Sequence, residues 1–410
     1  MTRPATSPPA ETLLVSVTGP DRPGVTSALL ASLPAGDATV LDVEQVVIRG
    51  QLLLGVLLRA PAAHRDRVAG AVTSVLAPLG LAVEVSADST AGTDQPRRPR
   101  CHVTVLGHPL RAEALAAVAG CIADYGANID RIVRIARYPV TAVELQVSGP
   151  EIDALRAPLA MAGAAAGVDV ALERAGLARR AKRLVVLDVD STLVQGEVID
   201  LLAQRAGCAE EVASVTERAM RGELDFADSL RHRVRLLAGL PVAALDDVRA
   251  ELQLAPGART FVRTLQRLDY RIALVSGGFT DVTDRLAADL GVDYAAANVL
   301  VRSEGRLTGE LAEPVLDRAG KAAALERFAA AAKVPLSQTV AVGDGANDLE
   351  MLARAGLGIA YNAKPVVREA ADAAISVPYL DAILFLLGIS REEVEEADAA
   401  DGLSTAGPQT

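Results

Sequence analysis

Two aspartates separated by one residue are the first feature of this chain that indicates chemistry. The short apolar run RLVVL, typical of a buried strand, leads directly into Asp188 and Asp190. Carboxylates this close repel each other, and a hard divalent cation with oxygen ligands relieves the repulsion. A buried pair without such a cation is the less favoured interpretation, because clustered charges at a buried strand end are costly. The motif therefore predicts a Mg²⁺ site.

Three further polar motifs follow along the chain, each next to an apolar run or a helix. Ser276 and Gly277 end the run YRIALVS, where a hydroxyl and small residues let backbone N–H groups approach a phosphate oxygen. Lys321 lies near the start of the predicted helix KAAALERFA and offers a point charge for a phosphate. A glycine-rich acid cluster follows the run TVAVG and contains Asp344, Asn347 and Asp348. Each motif alone also fits an ordinary turn or a solvated lysine, so the signal lies in their order.

The runs that carry these motifs are short and continuously apolar. Continuous apolar strands that alternate with helices are typical of a parallel sheet covered on both faces. Such a sheet presents functional side chains at the carboxyl ends of its strands, so the motifs are expected at one edge. This domain is predicted to span 180–390, followed by a flexible tail at 391–410, for whose acidic first half a helix is the alternative. The long helical pattern between its first two strands exceeds one crossover and predicts a helical cap at about 195–265.

The N-terminal part of the chain reads twice as β-α-β-β-α-β. The first half spans 12–87 and the second 100–176, with a polar, proline-containing linker between them and a loose tail at 1–11. This order is typical of ferredoxin-like split units, and its repetition indicates a duplication. The predicted fold class is therefore α/β, with a Rossmann-like parallel-sheet domain and a helical cap preceded by two ferredoxin-like domains.

The order Asp-x-Asp-x-Thr, Ser, Lys and Gly-Asp-x-x-x-Asp resembles the haloacid dehalogenase (HAD) superfamily of phosphohydrolases. The segments DVDSTLVQGEVID, RGELDFADSLRHRVRLL, LVSGGFT and AVGDGANDLEM are similar to those of phosphoserine phosphatases. The loop 21–24 (Asp-Arg-Pro-Gly) resembles the signature of ACT domains, which typically bind amino acids. The resemblance covers about 12–390. It implies a cytoplasmic, Mg²⁺-dependent enzyme that hydrolyses O-phospho-L-serine through an aspartyl-phosphate, the last step of serine biosynthesis.

The resemblance also implies roles for the motif residues. Asp188 is expected to be the nucleophile, and Asp190 the general acid and then the general base. Mg²⁺ is expected to be held by the Asp188 carboxylate, the Asp190 backbone carbonyl and Asp344, with Asp348 supporting them. The groups expected to hold the phosphoryl oxygens are Ser276, Gly277, Lys321 and Asn347.

Residues of the predicted cap are expected to select the substrate. Glu197 would pair with the ammonium of phosphoserine, and Arg233 would bind its carboxylate with two parallel hydrogen bonds. On the predicted helix ADSLRHRVRLL, Arg233 shares a face with Leu230, which places it against a buried surface; a rim salt bridge is the alternative. Met220 and Phe226 are of types that more often belong to a core, and the resemblance makes them walls of the serine pocket.

Three residues of the N-terminal halves are candidates for an effector site. Asp21 and Gly24 lie before the first predicted helix, whose exposed N–H groups can bind a carboxylate. Asn128 enters the second strand of the second half, where ACT domains often present side chains to a ligand. Turn chemistry alone also explains these loops. The resemblance implies L-serine or another amino acid as effector and a homodimer formed through the ACT domains.

Composition argues against several other functions. The chain of 410 residues carries 41 Lys and Arg against 52 Asp and Glu, a net charge of −11, with 3% aromatic residues, which argues against nucleic-acid binding. No apolar run approaches the roughly 18 residues of a membrane helix, so no membrane partner is expected. Two alternatives stay open: a HAD phosphatase or phosphotransferase for another phosphomonoester, and a non-catalytic amino-acid sensor.

Overall fold

The computed structural model describes residues 10–33, 38–87, 99–221 and 223–403. The chain divides into two units, residues 1–97 and 98–410. Most of the predicted linker and the outer ends of both predicted tails lie outside the described residues. Among the residues described, every helix is too short or too polar to cross a membrane.

The first unit is a four-stranded antiparallel sheet with two helices packed against it. Its elements are β1 (Ala10–Pro20), α1 (Val25–Ser32), β2 (Thr39–Ile48), β3 (Gln51–Pro61), α2 (Arg65–Leu76) and β4 (Ala82–Ala87). Along β3, Leu52, Leu54, Val56 and Leu58 are buried while residues between them are more exposed, the period of two expected of a sheet covered on one face. The strand order β2-β3-β1-β4 is ferredoxin-like, as predicted.

The second unit begins with the same arrangement. Its elements are β5 (Arg100–Gly107), α3 (Ala112–Asp124), β6 (Asn128–Ala136), β7 (Thr141–Ser148), α4 (Arg156–Ala166), β8 (Asp169–Arg174) and the short helix α5 (Leu177–Arg180). Ala114, Val118 and Ile122 recur every four residues and form the buried stripe of α3. The strand order β8-β5-β7-β6 repeats that of the first half, which fits the predicted duplication.

The rest of the second unit is a parallel sheet flanked by helices, with a helical insertion. Its first part comprises β9 (Leu184–Leu187), α6 (Val198–Ala206), α7 (Ala209–Met220), α8 (Phe226–Arg235), α9 (Ala243–Glu251), α10 (Ala258–Arg267), β10 (Arg271–Phe279), α11 (Thr280–Leu290), β11 (Tyr294–Asn298), β12 (Leu300–Ser303) and β13 (Arg306–Leu311). Its second part comprises α12 (Arg318–Ala331), β14 (Thr339–Gly343), α13 (Leu349–Arg354), β15 (Leu357–Tyr361), α14 (Pro365–Ala370), β16 (Ala373–Ile375), α15 (Ile383–Leu386) and α16 (Arg391–Ala400). The parallel strands follow the order β11-β10-β9-β14-β15-β16. The predicted α/β fold class is confirmed.

The parallel sheet and the second ferredoxin-like sheet are continuous. Strand β16 pairs antiparallel with β8 at Ala373 and Ala171, so ten strands form one sheet. The Ser376 N–H donates to the Asp169 Oδ2 at 2.6 Å, and the Arg156 guanidinium donates to the Asp372 carbonyl at 2.6 Å. The sequence pattern predicts separate domains here and carries no local signal of this junction.

Helices α6 to α9 form the cap around a core of their own, in which Leu202, Val234 and Leu245 are buried. The hairpin of β12 and β13 packs against the same core, although its strands come from the later part of the chain. The chain leaves the sheet at Val194 and returns at Leu254, where the two residues pair antiparallel.

The predicted cap boundary at 265 was wrong. Helix α10 packs in the core of the parallel sheet, where Phe261 and Leu265 are fully buried. Its strongly apolar face fits a sheet-covering helix as well as a cap helix, so periodicity alone does not distinguish the two.

The predicted flexible tail from 391 was also wrong over its first ten residues. Helix α16 begins at a capping box, in which the Ser390 side chain accepts from the Glu393 N–H and Glu393 bonds back to the Ser390 N–H. Asp398 pairs with Arg263 at 2.6 Å and with Arg267 at 2.6 Å, both on α10. The acidic composition that indicated a tail thus serves an anchored helix.

Candidate active site

The four sequence motifs meet at the carboxyl edge of the parallel sheet. Strand β9 lies between β10 and β14, so Asp188 directly follows the central strand, Ser276 lies near the end of one neighbour and Asp344 follows the other. A cleft of about 570 Å³ separates this edge from the cap. We call the sheet side of the cleft the floor; it consists of Asp188, Asp190, Ser276, Lys321, Asp344 and Asp348.

Lys321 joins two carboxylates of the floor. Its side chain is 1% exposed, and its Nζ lies 2.7 Å from Asp188 Oδ1 and 2.7 Å from Asp348 Oδ1. Burial opposes the charged ammonium, but the two carboxylates outweigh it and raise the pKa of Lys321. Burial, with Asp348 nearby, raises the pKa of Asp188 well above its usual range, although Lys321 opposes that shift. The floor therefore holds a charged lysine against a carboxylate that is costly to ionise.

The side chain of Asp190 is held at both of its oxygens. Oδ1 accepts from the Val198 N–H at 2.9 Å, and Oδ2 accepts from the Ser276 hydroxyl at 2.8 Å. The same Ser276 oxygen accepts from the Gly278 N–H at 2.7 Å. Ser191, with a φ of 58°, turns the chain sharply just after Asp190. Asp190 is thus oriented before any substrate arrives.

Three carboxylates of the floor are arranged as a cation site. Oxygens of Asp188, Asp344 and Asp348 lie within 4.8 Å of one another. Both Asp348 oxygens are already engaged, one by Lys321 and the other by the Gly345 N–H at 3.0 Å. Burial and the nearby Asp348 raise the pKa of Asp344 to about 6. Carboxylates that outnumber the one lysine, with pKa values raised by burial, fit a divalent cation with oxygen ligands.

Close backbone packing explains two glycines near the floor. A Cβ at Gly277 would lie 2.9 Å from the ring of Phe226, so the absence of a side chain lets the cap ring lie against the bulged end of β10. A Cβ at Gly343 would lie 2.4 Å from the Asp348 carboxyl carbon. Asn347 lines the cleft beside Gly345. Gly277, Phe226 and Asn347, three of the predicted substrate-binding residues, all line the cleft.

The cap side of the cleft carries charges without full partners. We call this side the cap wall; it consists of Glu197, Asp200, Phe226 and Arg233. Within the described residues, the buried Nε of Arg233 has no hydrogen-bond partner. Burial lowers the pKa of Arg233, although Glu197 and Asp200 oppose the shift. Its helix neighbour Arg231 points elsewhere and pairs with Glu313 at 2.9 Å, as the predicted helix face requires.

Glu197 lies across the cap wall from Arg233. Its Oε1 accepts from the Ser191 hydroxyl at 3.0 Å. Partial burial and the neighbouring Asp190 raise its pKa to about 7. The cap wall therefore offers one carboxyl and one guanidinium to the same cleft.

Several residues of the cleft were missed by the sequence analysis. Asp200 lies one turn after Glu197 and lines the cleft, and this i, i+3 spacing was a readable signal. Thr192 donates to Asp344 at 3.3 Å and belongs to the first motif, where it received no role. Arg318 and Lys364 line the cleft mouth and had no local signal. The side chain of Met220 lies outside the described residues.

The candidate effector residues are far from the cleft residues along the chain. Asp21 and Gly24 belong to the first unit, and Asn128 belongs to the second. In the first unit, the Asp21 N–H donates to the Gly50 carbonyl at 2.8 Å, and Gly24 precedes α1 with a φ of 89°. In the second unit, Asn128 begins β6, and its amide donates to Asp130 at 2.9 Å.

Known domain families match three parts of the chain. A model described as haloacid dehalogenase-like hydrolase matches residues 182–356. Two models described as ACT domain match residues 11–86 and 101–173. These matches confirm the resemblance on which the sequence analysis relied.

Curated and solved relatives cover most of the chain. A phosphoserine phosphatase of Streptomyces coelicolor is 58% identical over 395 residues, covering 96% of this chain and 96% of the relative. A phosphoserine phosphatase of Mycobacterium tuberculosis is 53% identical over 403 residues, covering 96% and 97%. The crystal structure of a probable phosphoserine phosphatase from Vibrio cholerae, in unliganded form, is 35% identical with a TM-score of 0.56, covering 74% of this chain and 90% of that chain. The chain therefore belongs to the phosphoserine phosphatase family, with a haloacid dehalogenase-like hydrolase domain preceded by two ACT domains.

Proposed function

We propose that this chain hydrolyses O-phospho-L-serine to L-serine and phosphate in the cleft between floor and cap wall, the reaction that ends serine biosynthesis. The observation that carries the proposal is the pairing of the two sides. The floor offers a nucleophilic carboxylate beside a buried lysine, and the cap wall offers Glu197 and Arg233. A phosphoserine has three charged groups, and each meets an opposite charge in this arrangement.

In the first step, an Asp188 carboxylate oxygen attacks phosphorus, and the bond between phosphorus and the serine oxygen breaks. Asp190, held by Ser276 and the Val198 N–H, donates a proton to the leaving serine oxygen. Lys321, Ser276 and the Gly277 N–H hold the phosphoryl oxygens, assisted by Asn347. The product of this step is L-serine and an aspartyl-phosphate.

In the second step, water attacks the phosphorus of the aspartyl-phosphate. Asp190 takes the proton of that water, and the bond between phosphorus and the Asp188 oxygen breaks. Phosphate leaves, and both aspartates return to their starting state. Because Asp190 loses a proton in the first step and regains one in the second, a single residue serves both.

The acidic cluster of the floor supports a divalent cation, which we assign as Mg²⁺ because its ligands are hard oxygens. Asp188, the Asp190 carbonyl and Asp344 would hold it. Asp348, whose oxygens bind Lys321 and the Gly345 N–H, keeps the lysine in place. When bound, the cation neutralises negative charge on the carboxylate and the phosphoryl group.

The cap wall supports selection of an amino-acid phosphate over other phosphomonoesters. The buried Nε of Arg233 has no hydrogen-bond partner among the residues described, and a substrate carboxylate that accepted from it would remove this cost. Glu197 supplies the opposite charge for an ammonium. A substrate without a carboxylate would leave the buried Nε of Arg233 without an acceptor, and one without an ammonium would leave Glu197 without an opposite charge, which disfavours the alternative of a general phosphatase.

Phosphate release from L-phosphoserine tests the proposal. Wild type is expected to release phosphate with Mg²⁺ and to stop in EDTA, and Asp188→Asn is expected to abolish release because an amide does not attack phosphorus. Other phosphomonoesters serve as matched substrates. A folded wild type that prefers another phosphomonoester would contradict the substrate assignment.

The two ACT domains support regulation by an amino acid, for which we assign L-serine at the loop of Asp21 and Gly24. Gly24 has a φ of 89°, which valine rarely adopts, so Gly24→Val distorts this loop. Titration of phosphate release with L-serine is expected to give a weaker response in Gly24→Val. The same inhibition curve for both proteins counts against this site.

A homodimer through the ACT domains is supported by the edge strand β2. Val46, Val47 and Ile48 on this strand are 44, 45 and 58% exposed. The dimer is expected to have twice the chain mass in sedimentation equilibrium, and Val47→Asp to weaken it. A monomeric wild type at micromolar concentration would rule the dimer out.

A further inference from the structure

Asn298 is a buried amide next to the floor with no role in the steps above. Asn298 is 2% exposed and is the last residue of β11. Its Nδ2 donates to the carbonyls of Gly277 at 2.9 Å and Gly278 at 3.3 Å. Its Oδ1 accepts from the Leu316 N–H at 2.7 Å. The partners on each side define which atom of the amide is nitrogen.

Asn298 lies where the sheet is interrupted. Strand β10 pairs with β11 up to Val275, shifts register, and pairs again at Phe279 opposite Asn298. The bulged segment between these points carries Ser276 and the two glycines. Carbonyls in a bulge lose their partners in the ladder and, when buried, need others. The Asn298 amide supplies them for both glycines.

Hydrogen bonds through one peptide group connect the Asn298 amide to Asp190, the proposed acid–base residue. The Gly277 carbonyl accepts from Asn298, and the N–H of the same peptide, on Gly278, donates to the Ser276 hydroxyl oxygen. That hydroxyl donates to Asp190 Oδ2. Because the peptide is planar, holding its carbonyl also sets the direction of its N–H. Asn298 therefore orients Ser276, and through it Asp190.

The other end of the amide reaches the lysine helix. Leu316, which donates to Asn298, precedes Asp317, the residue that caps α12 by accepting from the Gly320 N–H at 2.8 Å. Lys321 lies in the first turn of that helix. One side chain thus contacts the loop that carries Ser276 and the segment that leads to Lys321.

We infer that Asn298 is a positioning residue for phosphoryl transfer. It holds the Gly277–Gly278 peptide in the orientation in which the Gly278 N–H donates to Ser276, a proposed phosphoryl ligand, and it keeps this segment in register with Lys321. This inference rests on the proposed phosphatase function. It assigns Asn298 no contact with the substrate.

Asn298→Asp removes the donor end of the amide and keeps its acceptor end. Aspartate keeps an acceptor for the Leu316 N–H but turns an oxygen toward two carbonyls, which repels the loop. We expect kcat for phosphoserine to fall about 10- to 100-fold, as for the misplacement of a catalytic group. Binding of inorganic phosphate, measured by titration calorimetry, should weaken about 10-fold or more.

Gln266 provides a matched control. Its Nε2 also donates to two carbonyls, of Leu290 and Gly291, each at 2.9 Å, but at a more exposed loop away from the cleft. Gln266→Glu makes the same chemical change and is expected to lower the melting temperature while leaving kcat and phosphate affinity within about twofold of wild type. A merely structural Asn298 would behave in the same way.

Each outcome bears on one claim. If folded Asn298→Asp has the same kcat and phosphate affinity as wild type, the inference is overturned. Turnover by the wild-type protein upholds the proposed function in that case. A folded wild type without turnover contradicts the proposed function, and the phosphate titration still compares the two proteins. If Asn298→Asp does not fold, Asn298→Ser, which retains a donor too short to reach both carbonyls, is judged by the same two measurements.

Discussion

The floor and the cap wall of the cleft differ in whether their charged groups have partners within the protein. In the floor, Lys321 lies 2.7 Å from each of two carboxylates, and Asp190 is held at both oxygens. In the cap wall, the buried Nε of Arg233 has no partner among the described residues, and the pKa of Glu197 is raised to about 7. The floor's hydrogen-bond partners come from the protein itself, although its carboxylates outnumber Lys321 and form a cation site. In the cap wall, by contrast, the Nε of Arg233 lacks a protein partner within the described part of the chain.

This difference has an energetic meaning. Removing one partner of a buried ion pair leaves an uncompensated buried charge, so a substitution that breaks a pair in the floor should lower stability. A buried charge that lacks its partner in the free protein lowers stability, and the ligand returns that free energy as binding. Substitutions in the two regions should therefore change stability in opposite directions.

Lys321→Met is expected to have the largest effect. Loss of the ammonium leaves Asp188 and Asp348 facing each other in a buried site, which destabilises the fold by about 3–5 kcal/mol. Phosphate release should fall about 10³-fold. Urea unfolding in EDTA and kcat measure the two effects. Lys333→Met, at an exposed lysine just beyond the same helix, is the control; equal stability of Lys321→Met and wild type would contradict a paired floor.

Arg233→Met is expected to change stability in the other direction. It removes a half-buried guanidinium whose pKa is lowered by burial, so the free energy of unfolding measured in urea should rise by up to about 1 kcal/mol. The KM for phosphoserine should rise about 10- to 100-fold, because a charged hydrogen bond to the substrate is lost.

Arg231→Met is the matched control on the same helix. Arg231 pairs with Glu313 outside the cleft, so its loss should leave KM unchanged. If Arg233→Met unfolds as readily as Lys321→Met, the two sides of the cleft do not differ as described.

Glu197→Gln is expected to have the smallest effect and to depend on pH. With a pKa of about 7, Glu197 is charged above that pH and neutral below it. In the proposed function the charged form pairs with the substrate ammonium, so the wild-type KM should fall as pH rises through 7. Glu197→Gln should raise KM about 10-fold above pH 8 and little below pH 6.

The ratio of the two KM values isolates Glu197, because ionisation of the substrate phosphate is common to both proteins. The raised pKa of Glu197 also gives the direction in which folding stability changes with pH. The raised pKa means that folding stability contributed by this group is present at low pH and lost as pH rises toward 7. A KM ratio that does not change with pH would show that Glu197 does not titrate in this range.

Local signals predicted much of the floor. Asp188 and Asp190, Ser276, Lys321 and Asp344 each follow or precede an element whose periodicity is readable, and parallel strands deliver such residues to one edge. The residues of the cap wall were harder to predict from local sequence signals. Glu197 and Arg233 came from resemblance and helical spacing, and Asp200 was missed although its i, i+3 spacing from Glu197 places it on the same side of the helix.

The amino-acid sequence by itself determined the order of motifs, the two β-α-β-β-α-β halves and the α/β class, because these depend on periodicity and turn residues within a few positions. The tertiary structure alone decided which distant groups meet. The pairing of Ala171 with Ala373, the anchoring of α16 by Asp398 and the contact of Asn298 with the Gly277 carbonyl join residues far apart along the chain. Such contacts are selected by the packing of whole elements, so no local pattern records them.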